Sequence, residues 1–177
     1  MRDGKSIATT MGLTALDGLM MSTRPGSLDP GLVLHLIKNT DMTADDVEEL
    51  LYKQSGFQGM SGISADIRDL ETSDAKEAQE AIDLFCYMAA KEVGGLVAVL
   101  GGVDAFVFTG AMGVGDPMVR EKICSYFEWL GVKLESQINE TGGPVISDLK
   151  SPIKVLSLPT DEELIIAAHT AKIMSAT

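Results

Sequence analysis

The sequence predicts an α/β fold, because two short strand-like runs are each followed by a helical pattern. The first run, Ala105–Thr109 (AFVFT), is apolar without alternation, which is typical of a strand covered on both faces. The second run is Ile153–Leu158. A long helix is predicted over Asp74–Leu100, with Asp74 as its N-cap and apolar residues recurring along one face. The 177 residues are expected to form one domain.

The segment before the long helix is predicted to contain a strand, a long loop and two helices. Lys5–Thr10 has the composition of a strand, although no earlier strand-like run is there to pair with it. Gly12–Asp29 is predicted to be a loop, and loops of that length are usually functional or disordered. Pro30 suits the first position of a helix, and Thr43 is predicted to cap a second helix that ends at Tyr52.

Glycine, proline and capping residues divide the rest of the chain into elements. Gly101–Gly102 is expected to end the long helix, and the glycine-rich run GAMGVG follows the first strand. Asp116 is predicted to cap the next helix, which has a proline at its first position and ends before Gly131. Thr160 and Glu163 have the spacing of a capping box that begins the last helix.

The charge balance argues against a nucleic-acid partner. The chain has 14 basic and 26 acidic side chains, a net charge of −12, whereas a protein that binds DNA or RNA over a broad face needs the opposite sign. A small anionic ligand, held by a few arginines and backbone N–H groups, is compatible with this charge.

Cysteine usage and hydropathy predict a cytoplasmic protein with no membrane partner. Cys86 and Cys124 lie far apart, with no CxxC motif or histidine cluster, which favours a reducing compartment over a disulfide framework or a structural zinc site. The N-terminal MRDGKSIATTMG has no apolar targeting core. The most apolar run, Val93–Leu100, is too short to span a bilayer.

Four features have the chemistry of a site for a phosphorylated ligand, and each has a plainer interpretation. GAMGVG predicts either a phosphate-binding turn, whose glycines admit the ligand to backbone N–H groups, or a tight strand-to-helix connection. Arg24, in an apolar and glycine-rich loop, is either a phosphoryl clamp or a solvated charge. Asp66–Asp69 (DIRD) suits a ribose or base contact, or an ion pair at a helix start. Glu162 suits a metal ion, or a first helical turn that favours acids.

One protein family resembles this chain in four blocks. The C-terminal half of the acetate kinase (acetate/propionate kinase) family is similar, in order and spacing, to SIATTMGLTALDGLMMSTRPGSLDPGLVLHLI, SGISADIRDLE, DAFVFTGAMGVGDPMVREKIC and VLSLPTDEELIIAAHTAKI. The resemblance covers essentially the whole chain. It implies a C-terminal nucleotide-binding domain of the actin-like, sugar-kinase and Hsp70 (ribonuclease H-like) type, without the first strand of that domain.

The resemblance implies phosphoryl transfer from ATP to acetate or another short-chain carboxylate, giving an acyl phosphate and ADP, with Mg²⁺ as the metal. Arg24, in STRPG, matches the arginine that stabilises the transferred phosphoryl group. Glu162, in PTDEEL, matches the acid that helps to place Mg²⁺. The residues that match the nucleotide-binding segments are Asp66, Ile67, Arg68, Gly110, Ala111, Met112, Gly113, Val114 and Gly115.

Two segments of the chain depart from the family pattern. The family's glycine-rich loop usually reads Gly-Ile-Gly-Glu-Asn, whereas Ala111–Gly115 (AMGVG) keeps the backbone N–H groups and lacks the acidic and amide side chains. The arginine loop usually has a glycine before Thr-Arg and a small residue after it, but here Ser22 and Pro25 flank that pair. Proline fixes its own φ and restricts Arg24.

The resemblance implies that the acyl-binding pocket, a further Mg²⁺-side residue and the catalytic Asp and His residues belong to an N-terminal half that lies outside this sequence. It also implies a phosphate-binding HLGNG segment just upstream of the matched region. The chain by itself is therefore expected to be inactive. The alternatives are a stand-alone module that binds nucleotide or a partner without catalysis, and a structural subunit that pairs with a separately encoded half. A homodimer is expected, through the long apolar helix and exposed strand edges.

Overall fold

A 25-residue helix organises the first of two compact units. The computed structural model of the chain describes residues 1–175, and the first unit ends at Gly102. That residues 1–177 form a single domain stays a prediction, which the division into two compact units does not test. The first unit contains α1 (Pro30–Asn39), α2 (Ala44–Lys53), α3 (Gly56–Ser61), α4 (Ile67–Glu71) and α5 (Lys76–Leu100).

The core of the first unit forms along one face of α5. The short helices α3 and α4 pack against this face, where Ala81 and Ile82 are buried. The rings of Phe57 of α3 and Phe85 of α5 are in contact, with their centroids 5.3 Å apart. At this separation the interaction between two aromatic rings stabilises the fold in addition to the hydrophobic effect of burying them. The long helix predicted from the apolar periodicity is confirmed.

The two ends of α5 differ in how well they were predicted. The Ala75 carbonyl accepts the first helical hydrogen bonds, from the Ala78 and Gln79 amides at 3.2 and 3.4 Å. Ala75 is therefore the N-cap, and the expectation for Asp74 is wrong. At the other end Gly101 has a φ of 76°, a left-handed conformation that glycine adopts without strain and that ends the helix as predicted.

The predicted starts of α1 at Pro30 and of α2 at its cap Thr43 are confirmed. At the start of α1 the Asp29 side chain accepts a hydrogen bond from the Gly31 amide at 2.8 Å. At the start of α2 the Asp46 amide donates to Thr43 Oγ1 at 3.2 Å and the Thr43 amide donates to Asp46 Oδ2 at 2.8 Å. This exchange is a reciprocal capping box. The Gly12–Asp29 segment is a loop, as predicted.

The strand predicted over Lys5–Thr10 is wrong. Lys5 pairs with Arg2 in an isolated bridge, and the residues after it have no regular structure. A strand needs a neighbour to satisfy its backbone hydrogen bonds, and the only described sheet lies in the second unit. Instead, the guanidinium of Arg2 donates to the Leu100 carbonyl at 2.6 Å, at the C-terminal end of α5.

The second unit, which begins at Val103, is built on two parallel strands. β1 (Ala105–Phe108) pairs with β2 (Lys154–Ser157), with Ala105 opposite Lys154 and Phe108 opposite Ser157. The α/β prediction and both predicted strands are confirmed. The other elements are α6 (Gly110–Gly115), α7 (Pro117–Ser125), a 3₁₀ turn (Glu128–Leu130), α8 (Ser136–Thr141) and α9 (Glu162–Ser175).

The core of the second unit lies on one side of this strand pair. Ile146 and Val155 are fully buried, and the rings of Phe106 and Phe127 meet edge to face with centroids 4.9 Å apart. The expectation that β1 is covered on both faces is wrong in the described part of the chain, because Val107 on the opposite face is 52% exposed.

The helices of the second unit begin at side-chain caps. The Val119 amide donates to Asp116 Oδ1 at 2.9 Å, so Asp116 caps α7 as predicted. The Leu164 amide donates to Asp161 Oδ1 at 2.9 Å, so Asp161 caps α9 and the capping box predicted from Thr160 is wrong by one residue. The residues of α9 are exposed along its length. Neither α9 nor any other helix within residues 1–175 has the length and apolar character needed to cross a membrane.

Candidate functional site

The carboxyl ends of β1 and β2 lie side by side. The strands are parallel with Phe108 opposite Ser157, so both end at the same level, and the Leu158 amide donates to the Phe108 carbonyl at 2.9 Å. The segments that follow the two strands therefore leave the sheet next to each other. In α/β sheets this is the edge at which ligands usually bind.

The run after β1 is a short helix, α6, rather than the turn that its glycines predict. It begins at Gly110, whose φ of 72° would strain any residue with a side chain. A Cβ placed on Gly113 would lie 3.3–3.5 Å from three atoms of Phe108. The first glycine lets the chain turn sharply out of β1, and the second lets α6 lie close against the end of that strand.

A cleft of about 730 Å³, wide open to solvent, lies between α6 and the segment after β2. The structure therefore brings together two of the predicted features, the glycine-rich run and Glu162. The residues that line the cleft are Gly110, Ala111, Val114, Gly115, Pro159, Thr160, Asp161, Glu162 and Glu163.

The two walls of the cleft have different chemistry. The α6 wall is uncharged and consists of backbone and apolar side chains, whereas Asp161, Glu162 and Glu163 are exposed acids on the other wall. No group of three or more His, Cys, Asp or Glu residues in the described chain is arranged to hold a metal ion. Mg²⁺ is usually held by one or two carboxylates together with waters and substrate phosphates. The donor set therefore fits Mg²⁺ that arrives with a phosphorylated ligand.

Sequence reasoning missed four residues of this cleft: Pro159, Thr160, Asp161 and Glu163. They directly follow a predicted strand, and strands joined by helices are usually parallel. The residues after the second strand should therefore have been expected beside those after the first.

The loop that carries Arg24 is fixed in the first unit by close contact with the start of α3. The Met21 amide donates to the Arg24 carbonyl at 2.9 Å, and the Phe57 amide donates to the Met21 carbonyl at 3.0 Å. Gly56 has a φ of 63°, and a Cβ on it would lie 2.0 Å from the Met21 carbonyl oxygen. A residue with a side chain at position 56 would therefore push this loop away from α3.

The guanidinium of Arg24 has two neighbours in the first unit. Its central carbon lies 5.3 Å from the centre of the Tyr52 ring, within the range of a cation–π contact. Its Nη1 donates to the Ala15 carbonyl at 3.3 Å. The side chain is half-buried, and this one hydrogen bond uses one of the five N–H donors of an arginine. The geometry orients the guanidinium and leaves donors for an anion.

Asp66 and Arg68 form an ion pair at the start of α4. The Asp66 carboxylate accepts from the Arg68 amide at 3.0 Å, which makes Asp66 the N-cap of α4, and also from the Arg68 guanidinium. The ion-pair interpretation of DIRD is confirmed, and the predicted contact with a nucleotide stays a prediction. The Ile67 side chain is 8% exposed and belongs to the core of the first unit, so only its backbone is placed to meet a ligand.

Comparison with known proteins identifies the family. The family model described as the Acetokinase family matches residues 1–168. The chain belongs to this family. It is 48% identical to the acetate kinase of Methylocella silvestris over 173 residues, which are 98% of this chain and 43% of that protein. It is 46% identical to the acetate kinase of Rickettsia prowazekii over 173 residues, which are 98% of this chain and 45% of that protein.

Solved structures of acetokinase family members have the same fold. The acetate kinase of Porphyromonas gingivalis superposes with a TM-score of 0.85 at 38% identity, over 93% of this chain and 43% of that one. A propionate kinase from Francisella tularensis gives a TM-score of 0.87 at 35% identity, over 93% of this chain and 43% of that one. The family resemblance and the fold type expected from the sequence are confirmed. The expectation that the first strand of the domain lies outside the chain stays a prediction.

The matched relatives are longer than the chain. The two acetate kinases and the two solved kinases are each covered over only 43–45% of their own length. The roles that the family implies for Arg24, Asp66–Arg68, Gly110–Gly115 and Glu162 therefore stay predictions at this point.

Replacing Gly56 with alanine is expected to destabilise the first unit by roughly 3 kcal/mol or more, because the new Cβ would overlap the Met21 carbonyl and the backbone conformation is strained. Gly62→Ala is the matched control. Gly62 has a φ of 65° with nothing within 4 Å of a Cβ, so only about 1 kcal/mol is expected. Urea denaturation of both variants measures the difference, and equal losses would contradict the role of Gly56.

The pKa of Asp66 is expected to be about 2, below its ordinary value of 3.8, chiefly because the Arg68 side chain and amide donate to the carboxylate. Its contribution to the free energy of unfolding is then fully present above pH 3.8 and is lost as the pH falls towards 2. NMR titration of the carboxyl carbon measures this pKa directly. Arg68→Gln is expected to raise it towards 3.8 while leaving the lowered pKa of Asp46, which depends on Thr43, unchanged.

An Asp66 pKa near 3.8 in the unmodified chain, or equal changes at Asp66 and Asp46 in the Arg68→Gln variant, would show that the ion pair does not persist in solution.

Proposed function

We propose that this chain is the nucleotide-binding part of an acetate-kinase-type enzyme. In the whole protein, a carboxylate oxygen of acetate or another short-chain acid forms a bond to the γ-phosphorus of ATP. The bond from that phosphorus to the β,γ-bridging oxygen breaks, and ADP leaves with the electron pair. The observation that supports this proposal most strongly is the cleft at the carboxyl ends of two parallel strands, which is lined by α6 on one side and by Glu162 on the other.

The second unit is proposed to hold the nucleotide with its metal. Gly110 and Gly115 place backbone on the α6 wall of the cleft with no side chain over it, and the other residues of that wall are small or apolar and carry no charge. Glu162, exposed on the opposite wall, is proposed to place Mg²⁺. Held there, Mg²⁺ would neutralise part of the charge that develops on the phosphate oxygens during transfer.

The first unit is proposed to supply the charge that stabilises the transferred phosphoryl group. Arg24 is suited to this, because its loop is fixed against α3 and its guanidinium is oriented by Tyr52 and the Ala15 carbonyl. A guanidinium held in one orientation gives a bidentate, charge-assisted contact to phosphoryl oxygens without reorganisation. Asp66–Arg68 is proposed to contribute to the adenosine side of nucleotide binding, with the Ile67 side chain serving the core.

The second candidate function is a module that binds nucleotide or a partner without catalysis. Val114 and Gly115 support it, because neither carries a polar side chain where the family pattern has an acid and an amide. Arg24 followed by Pro25 is a further departure. A subunit that is purely structural and pairs with a separately encoded half is the third alternative. Nucleotide binding without turnover in the whole protein distinguishes the second candidate from the first.

A reducing, cytoplasmic location is also proposed. Cys86 and Cys124 are both buried, and burial raises the pKa of Cys124 to about 12. A thiol with so high a pKa stays protonated and unreactive. Buried thiols of this kind fit a compartment in which disulfides do not form.

Millimolar Mg²⁺·ADP is expected to raise the melting temperature of the chain by several degrees. Ligand binding stabilises the native state by ~2.7 kcal/mol at a hundredfold excess over Kd, and ~2–4 °C of melting temperature corresponds to each kcal/mol at this chain length. Glu162→Gln should remove the part of the shift that depends on Mg²⁺. Glu121→Gln, at an exposed acid of α7, is the matched control and should behave like the unmodified chain. No shift in the unmodified chain, when it is well folded, contradicts the proposed site.

The isolated chain is expected to synthesise no acyl phosphate from ATP, Mg²⁺ and acetate. Phosphoryl transfer depends on many groups positioned at once, and this chain spans 43–45% of the acetate kinases that it matches. A coupled assay for ADP release measures the activity. Turnover above background that is abolished by Arg24→Ala would contradict this expectation.

The chain is expected to form a homodimer or a larger species. Val99 at the end of α5 and Val107 in β1 are more than half exposed, and apolar helix faces and strand edges recruit other chains. Light scattering at micromolar concentration measures the mass. A monomer mass that persists across a dilution series would overturn the proposed assembly.

A further inference from the structure

A buried arginine lies directly behind the α6 wall of the cleft. Arg120, on α7, is only 2% exposed and is the largest of the fully buried side chains in the described residues. Arginine is almost never buried to this extent unless its N–H groups are paired. The guanidinium of Arg120 is paired in this way, with hydrogen-bond partners on two neighbouring helices.

The partners of Arg120 include the last turn of α6. Its Nη1 donates to the Gly113 carbonyl at 3.1 Å and to the Val114 carbonyl at 2.7 Å. Val114 also lines the cleft, so the arginine is bonded to the backbone of a residue that forms the ligand-facing wall. A cation at this end of a helix also interacts favourably with the helix dipole.

The other side of the guanidinium is held by Asn139 of α8. Arg120 Nε donates to Asn139 Oδ1 at 2.8 Å, and Nη2 donates to the Asn139 carbonyl at 2.6 Å. The Asn139 side chain in turn donates to the Pro117 carbonyl, at the start of α7, at 2.9 Å. One arginine and one asparagine thus connect three helices through hydrogen bonds, and burial of both side chains keeps water from replacing them.

Helix α6 needs support of this kind. It has six residues, three of which are glycine, and its N-cap Thr109 makes no side-chain hydrogen bond. Helices this short are not stable by themselves, and glycine lowers helix stability further. Burial lowers the pKa of Arg120, opposed by Asp116, Cys124 and Glu140, and arginine stays protonated near neutral pH in spite of this. Its hydrogen bonds to the two carbonyls are therefore charge-assisted.

We propose that Arg120, oriented by Asn139, is a positioning residue that holds α6 in the conformation in which its backbone forms the nucleotide-facing wall of the cleft. The inference rests on the proposed function for the identity of the ligand. The positioning of α6 is a property of the chain without ligand and is testable separately.

Hydrogen exchange in the chain without nucleotide tests the positioning role first. Arg120→Lys keeps a cation but loses the fork that reaches both α6 and Asn139. The amides of residues 114–116 are expected to exchange about tenfold faster in this variant, the effect expected from losing one charge-assisted hydrogen bond. Ile123→Val, at a buried position one turn along α7, is the matched control and is expected to leave residues 114–116 unchanged relative to the rest of the second unit.

The affinity for Mg²⁺·ADP, measured by titration calorimetry, is the second readout. It is expected to fall about tenfold or more in Arg120→Lys and to stay within about twofold in Ile123→Val. If Arg120→Lys does not fold, Asn139→Ala serves instead, because it leaves the two bonds to α6 and the bond to the carbonyl of residue 139 in place and removes the side-chain bond that orients the guanidinium. Faster exchange at residues 114–116 is expected there as well.

The outcomes separate the two claims. Uniformly faster exchange across the second unit, or unchanged exchange at residues 114–116, overturns the positioning role and leaves Arg120 as a general stabiliser of the core. Absence of ADP binding in the unmodified chain overturns the proposed function, while the exchange result still decides whether Arg120 holds α6.

Discussion

The parallel pairing of β1 with β2 is the constraint on which the site depends. Because the two strands run in the same direction and end at the same level, α6 and the start of α9 emerge side by side. An antiparallel pair would have placed them at opposite ends of the sheet. The glycine at the start of α6 then places backbone on the wall of the cleft beside the small apolar side chains, and the glycine against Phe108 lets α6 pack closely on the end of β1. Arg120 and Asn139 support that backbone from behind.

The elements that the sequence predicts well are those with local causes. The apolar periodicity of α5, the helix start at Pro30, the caps Thr43 and Asp116, and the two strand-like runs are all confirmed. The elements that fail depend on a partner elsewhere in the chain. Lys5–Thr10 has the composition of a strand, but no strand of the first unit is described beside it. The cap of α9 fails by a single residue, because Asp161 accepts the hydrogen bond that Thr160 was expected to accept.

The same distinction applies to the site: the residues with a local sequence signal were predicted, and those that depend on a distant partner were not. GAMGVG and Glu162 have residue types that point to phosphate and metal, and the structure brings them together in one cleft. Arg120 gives no such indication in the sequence, where it is an ordinary charged residue in a helix. Its role emerges only from its burial and from carbonyl partners on another helix. The first unit gives a similar example. Position 56 needs a glycine because the Met21 carbonyl packs against it, and this contact is visible only in the structure.

A metal–nucleotide complex is proposed to bind in the cleft between α6 and Glu162. Paramagnetic line broadening measured with Mn²⁺·ADP tests it most directly, because Mn²⁺ takes the oxygen ligands that suit Mg²⁺ and broadens the NMR signals of nearby amides. The amides of residues 110–115 and 160–163 are expected to broaden first, at substoichiometric Mn²⁺·ADP, and to recover when excess Mg²⁺·ADP is added. Broadening confined to other acidic surfaces, or no broadening that Mg²⁺·ADP reverses, would contradict it.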